Sequence, residues 1–119
     1  MADPIHPAVA CRAIQAAVAC HFERGVIDIK SDRVDAPTVL ARRVAMYLCH
    51  ELYHLGSAVI AREFNKHASV VADAIKVIRG NETYLAIAYE IGSRYWGENE
   101  SYLPPTGFDE GAPSRSRVA

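Results

Sequence analysis

The chain has 119 residues, half of them hydrophobic and 23 % charged, with a formal net charge of −1. That size supports one domain with a single core, and a charge so near zero excludes a strongly basic polyanion binder. No apolar run approaches the roughly eighteen residues of a membrane span, and the opening MADPIHPAV lacks an export signal's basic and apolar segments, so a cytoplasmic protein is expected.

Residues 7–23, PAVACRAIQAAVACHFE, predict a first helix, with Val9, Ile14, Val18 and Phe22 near one face and Pro7 suited to the first turn. Gly25 is the expected stop. GVIDIKSD follows, and its Val26, Ile27 and Ile29 fit either a short helix or an extended connector. RVDAPT reads as a loop in which Asp35 and Pro37 mark a helix start. The longest helix is expected from Thr38 to His54, with an apolar stripe of Val39, Ala45, Met46, Cys49, Leu52 and Tyr53. Arg42, Arg43 and His50 lie largely off that stripe, and Gly56 is a natural stop.

Two short helices come next, Ser57 to Phe64 with Ser57 as N-cap, and Ala68 or Ser69 to Arg79. Asn65, Lys66 and His67 separate them, and Asn65 suits the left-handed conformation of a tight turn. Gly80-Asn81 breaks the chain again before a last amphipathic helix at 82–96. From Gly97 the sequence is rich in Pro, Gly, Ser and acids, as expected of a disordered acidic tail. The organisation read from this pattern is an all-α domain at 1–96 and a tail at 97–119.

The pair at 57–79 fits a helix-turn-helix. Ala61 is the small residue a close crossing needs, beside Ile60 and Phe64, and Val71, Ala74, Ile75 and Ile78 face inward. Ser69, Ala72, Asp73 and Lys76 are left on the outer face, where a recognition helix meets base edges. Charge agrees locally. Residues 37–79 hold six cations against three acids, a balance of +3, whereas 96–119 hold two against four, a balance of −2.

The stretch LARRVAMYLCHELYHLGSAVIAREF, residues 40–64, resembles the C-terminal DNA-binding domain, domain IV, of the bacterial replication initiator DnaA. Its carriers are Arg42-Arg43-Val44-Ala45-Met46-Tyr47-Leu48, His50-Glu51-Leu52 and Ile60-Ala61-Arg62-Glu63-Phe64. The resemblance implies a Trp-repressor-like helical fold and double-stranded DNA as partner. It also implies Arg42, Arg43 and Lys66 at phosphates, and His67, Ser69, Asp73 and Lys76 toward bases. Departures are equally specific. Leu40 stands where the family has a minor-groove arginine, and His67, Ala68 and Ser69 replace its Asp-His-Thr reading trio. A site other than the DnaA box is therefore expected. No GxxxxGK[ST] is present, so the resemblance is to the DNA-binding domain without its ATPase. A small transcription or replication regulator follows, with a homodimer as the usual route to higher affinity. The alternative is an interaction module that keeps the fold, has lost DNA reading and binds a replication or regulatory protein.

One motif points elsewhere. His50 to His54, HELYH, spells the zinc-protease signature, two ligands one turn apart with a general base between them. A third ligand with suitable spacing and strands for a substrate cleft are both missing from the pattern, so the string reads as a coincidence within a helix. Cys11, Cys20 and Cys49 form no CxxC pair and are expected to be buried, reduced thiols. No catalytic residue, metal or cofactor is expected.

Overall fold

The structure, a computed structural model, describes residues 6–96. The tail expected at 97–119 lies outside the described residues. Six helices follow in order: α1 (Pro7–Phe22), α2 (Val26–Ile29), α3 (Ala36–Tyr53), α4 (Ser57–Phe64), α5 (Ala68–Arg79) and α6 (Glu82–Trp96). Among the described residues every regular element is a helix, so the domain is all-α. None of these helices is long and apolar enough to cross a membrane.

Helix α3 is the axis of the fold and packs against each of the other five. Ten of its eighteen residues are buried, because neighbours surround it on nearly every side. It starts at Asp35, whose carboxylate accepts from the Thr38 backbone N–H at 3.3 Å and from the Thr38 hydroxyl at 2.7 Å. Helix α1 lies along α3 and buries Ala10, Cys11, Ile14, Gln15, Ala17, Val18 and Ala19. Val9, expected on that face, is exposed. The Gln15 amide donates to the Glu63 carbonyl at 3.1 Å and so ties α1 to the end of α4.

The helix boundaries are set by different residues from those expected at three places. Glu23, in the left-handed conformation at φ 57°, ends α1, and Gly25 instead opens α2 with its N–H held by Asp28 at 3.1 Å. The 25–32 stretch is therefore helical at its start, where the Asp28 carboxylate satisfies one of the donors a helix N-terminus leaves free. His54, at φ 58°, ends α3, and Gly56 rather than Ser57 is the N-cap of α4.

Candidate nucleic-acid interface

Helices α4 and α5 form the expected helix-turn-helix. Asn65 turns the chain at φ 59°, and the Lys66 N–H closes the turn onto the Ala61 carbonyl at 2.9 Å. Ile60, Ala61 and Phe64 of α4 meet Val71, Ala74, Ile75 and Ile78 of α5, all buried, and the side of α5 carrying them rests on α3. This packing fixes which face of α5 looks outward. Ser69, Ala72, Asp73 and Lys76 are exposed on it, and His67 is exposed at the N-cap without making a side-chain cap bond. The side chains of Ser69, Asp73 and Lys76 have no hydrogen bond or ion pair among the described residues.

Between α3 and α5 lies a crevice of about 270 Å³ lined by Val39, Arg42, Arg43, Met46, Val70 and Asp73. Arg43 and Asp73 enter it from opposite walls, yet no ion pair joins them among the described residues. Arg43 is half-buried, and its guanidinium has no hydrogen bond or ion pair among the described residues.

The structure gives Arg42 a different position from the one the sequence suggests. It is 8 % exposed, and its guanidinium points into the loop between α2 and α3. Nε donates to the Ile29 carbonyl at 2.8 Å, and Nη2 donates to the Arg33 carbonyl at 3.0 Å and the Asp28 carbonyl at 3.4 Å. Burial pulls its pKa down, opposed by the charges of Asp32 and Asp35. Its donors are spent inside the protein, so it is a clamp on backbone carbonyls. Lys66 is likewise engaged: its side chain is 12 % exposed, and Nζ donates to the Ser31 carbonyl at 2.7 Å and to Asp32 at 2.8 Å. That contact holds the Asp32 carboxyl below its ordinary range.

Two further arginines, neither of them among the expected contact residues, complete this loop. Arg24 donates to the Thr38 hydroxyl at 3.2 Å, and Arg33 pairs with Asp35 at 2.9 Å and with Asp28 at 3.4 Å. The only advance signal was the alternation of acids and bases across 28–35. Arg24, Arg33, Arg42 and Lys66 are thus engaged by the loop's own acids, hydroxyls and carbonyls, whereas Lys30 is exposed. Apolar residues of the loop are exposed too, Ile27 being 78 % and Val34 84 % exposed.

The HELYH residues have local partners. The His50 ring shares a hydrogen bond with the Leu55 carbonyl at 3.0 Å, and Glu51 accepts from Arg79 at 2.7 Å. Among the described residues no three His, Cys, Asp or Glu side chains come together as a metal site. Of the cysteines, Cys11 and Cys49 are buried, whereas Cys20 is exposed, contrary to expectation. Cys11 is held below its ordinary pKa by a hydrogen bond with Cys49, and burial pushes the Cys49 thiol up. Burial also raises the Tyr47 phenol, to about 12.

Residues 11–78 match the family model described as the bacterial dnaA protein helix-turn-helix, which spans α1 to the last turn of α5. No curated protein matches the chain.

Proposed function

The chain belongs to the bacterial DnaA helix-turn-helix family, a family of DNA-binding domains, and from that premise we propose that it binds double-stranded DNA sequence-specifically as a small cytoplasmic regulator of transcription or replication. The observation that carries this reading is the outer face of α5. It holds Ser69, Asp73 and Lys76, with His67 at its start, all exposed and with side chains unengaged, on a helix whose other face is fixed by the core. Such a face, laid in a major groove, offers donors and acceptors to base edges. Arg43 is the phosphate contact, since its charge is free while those of Arg42 and Lys66 are used to hold the α2–α3 loop. Arg42 and Lys66 then act as positioning residues that shape the surface beside the recognition helix.

The zinc-protease reading has nothing to support it in this setting, because Glu51 is ion-paired with Arg79 and His54 is a helix cap. The family is one of DNA binding, and the proposal is accordingly of a non-enzyme. A second reading draws on the loop: Ile27 and Val34, exposed on a clamped segment beside Asp32, suit a replication or regulatory protein partner better than a phosphate backbone.

Selection of bound duplexes from a randomised pool at moderate salt tests the proposal. An enriched motif is the expected result. Absence of enrichment together with absence of DNA retention at low salt overturns it and leaves the protein-partner reading.

A further inference from the structure

The residue that needs explaining is Asp73. Of the aspartates among the described residues it alone has no hydrogen bond and no ion pair. Asp28 holds the Gly25 N–H and Arg33, Asp32 holds Lys66, and Asp35 caps α3 and pairs with Arg33. Asp73 is the sixth residue of α5, beyond the first turn where a helix dipole favours a carboxylate. Neither Lys76 three residues on nor Arg43 across the crevice pairs with it. An unpaired carboxylate in the middle of a DNA-facing helix opposes phosphate and weakens binding to every duplex. It stabilises a complex only where a base edge presents a donor.

We propose that Asp73 is the specificity-determining residue of this interface, its carboxylate accepting a hydrogen bond from the exocyclic amino group of a cytosine in the major groove. This rests on double-stranded DNA being the ligand. The choice of cytosine follows from what each base shows there. Guanine offers N7 and O6 and thymine O4, all acceptors that repel a carboxylate. Adenine offers its amino donor next to the N7 acceptor, so the second carboxylate oxygen faces a lone pair. Cytosine offers a donor with no acceptor beside it. Lys76, three residues along and therefore a neighbour on the same face, donates to N7 or O6 of the guanine in that pair or the next. Arg43, on the opposite wall of the crevice from Asp73, holds the flanking phosphate and sets the depth of the helix in the groove.

The signature is a split between affinity and specificity. Removing the carboxylate strengthens binding to arbitrary DNA while erasing one base preference, an outcome a merely structural or solvating residue does not give. The test is duplex selection with the full chain and with its Asp73→Ala and Asp73→Asn variants, alongside titration of one arbitrary duplex at two salt concentrations. Both substitutions are at an exposed position, and thermal unfolding verifies that the variants are folded. The parent motif is expected to contain one cytosine preferred by at least ~5-fold over other bases. Asp73→Ala loses that preference and binds the arbitrary duplex more tightly. Asp73→Asn moves the preference to adenine, whose N6 and N7 match an amide. An identical motif from the parent and Asp73→Ala overturns the inference while DNA binding stands. Failure of all three proteins to bind any duplex overturns the DNA reading itself, and the inference with it.

Discussion

Substituting Arg42 and Arg43 separately by alanine separates two adjacent arginines with opposite tasks. Arg42→Ala removes the guanidinium that ties α3 to the α2–α3 loop and leaves the Ile29 carbonyl buried without its 2.8 Å partner. Hydrogen bonds to charged groups contribute about 1.5–3 kcal/mol each, so the Ile29 bond at full weight and the 3.0 Å Arg33 bond at about half give a loss of ~3 kcal/mol. Against a total stability of about 5–15 kcal/mol this is a large fraction. With a urea slope of about 1.5 kcal/mol/M, the unfolding midpoint drops by ~2 M. Arg43→Ala removes no internal bond and should shift stability by less than ~0.5 kcal/mol. DNA binding reverses the order of diagnosis: Arg43→Ala lowers the slope of log K against log salt by about 1. Arg42→Ala, measured where it remains folded, keeps that slope. Urea unfolding and salt-dependent binding on both variants are sufficient. Equal unfolding midpoints for the two variants would sink the clamp assignment, and an unchanged salt slope in Arg43→Ala would sink the phosphate assignment.

Three further outcomes are expected. Asn65→Ala, which puts a β-carbon side chain without local hydrogen bonding into the left-handed turn, costs about 1 kcal/mol, and Asn65→Gly restores the loss, both readable by urea unfolding. Lys66→Met frees Ser31 and Asp32, so protease nicking and hydrogen exchange should accelerate at 30–35 while the salt slope of DNA binding holds, and a fall in that slope would return Lys66 to the phosphate set. The Thr38 hydroxyl and amide hold the Asp35 carboxyl below its ordinary range. Because the folded state lowers this pKa, its stabilisation is present above the unfolded value of about 3.9 and is lost as pH falls through the folded one. Acid unfolding of Asp35→Asn should therefore show a shallower dependence below about pH 4 than the parent, and identical slopes would refute the cap's role.

What the sequence made readable was the part governed by local periodicity. The 57–64 and 68–79 helices emerged nearly to the residue, because each alternates buried and exposed positions cleanly and Asn65 marks the turn between them. Helix α2 stayed open because four residues span barely one turn, too few to separate helical from extended spacing. Caps at Glu23 and His54 were missed in favour of nearby glycines, since an ordinary residue in the left-handed region leaves no compositional trace. At the candidate site the loss was of another kind. Arg42 and Lys66 carry the charges a phosphate contact needs, and nothing local says that carbonyls of residues 28–33 will lie within their reach. That fact belongs to the tertiary arrangement of α2 on α3. Arg43, adjacent to Arg42 on the helix, points away from those carbonyls and so escapes the same fate.

The division of labour on α5 has a consequence for how such a domain changes over time. Its inner positions, Val71, Ala74, Ile75 and Ile78, are committed to the core, whereas Ser69, Asp73 and Lys76 have side chains that bond to nothing else among the described residues. Substitutions at those three places should be nearly silent for folding, so the chemistry of the outward face can change without compensating mutations elsewhere. The clamped loop supplies the complement, holding the neighbouring surface still while the outward face of α5 changes.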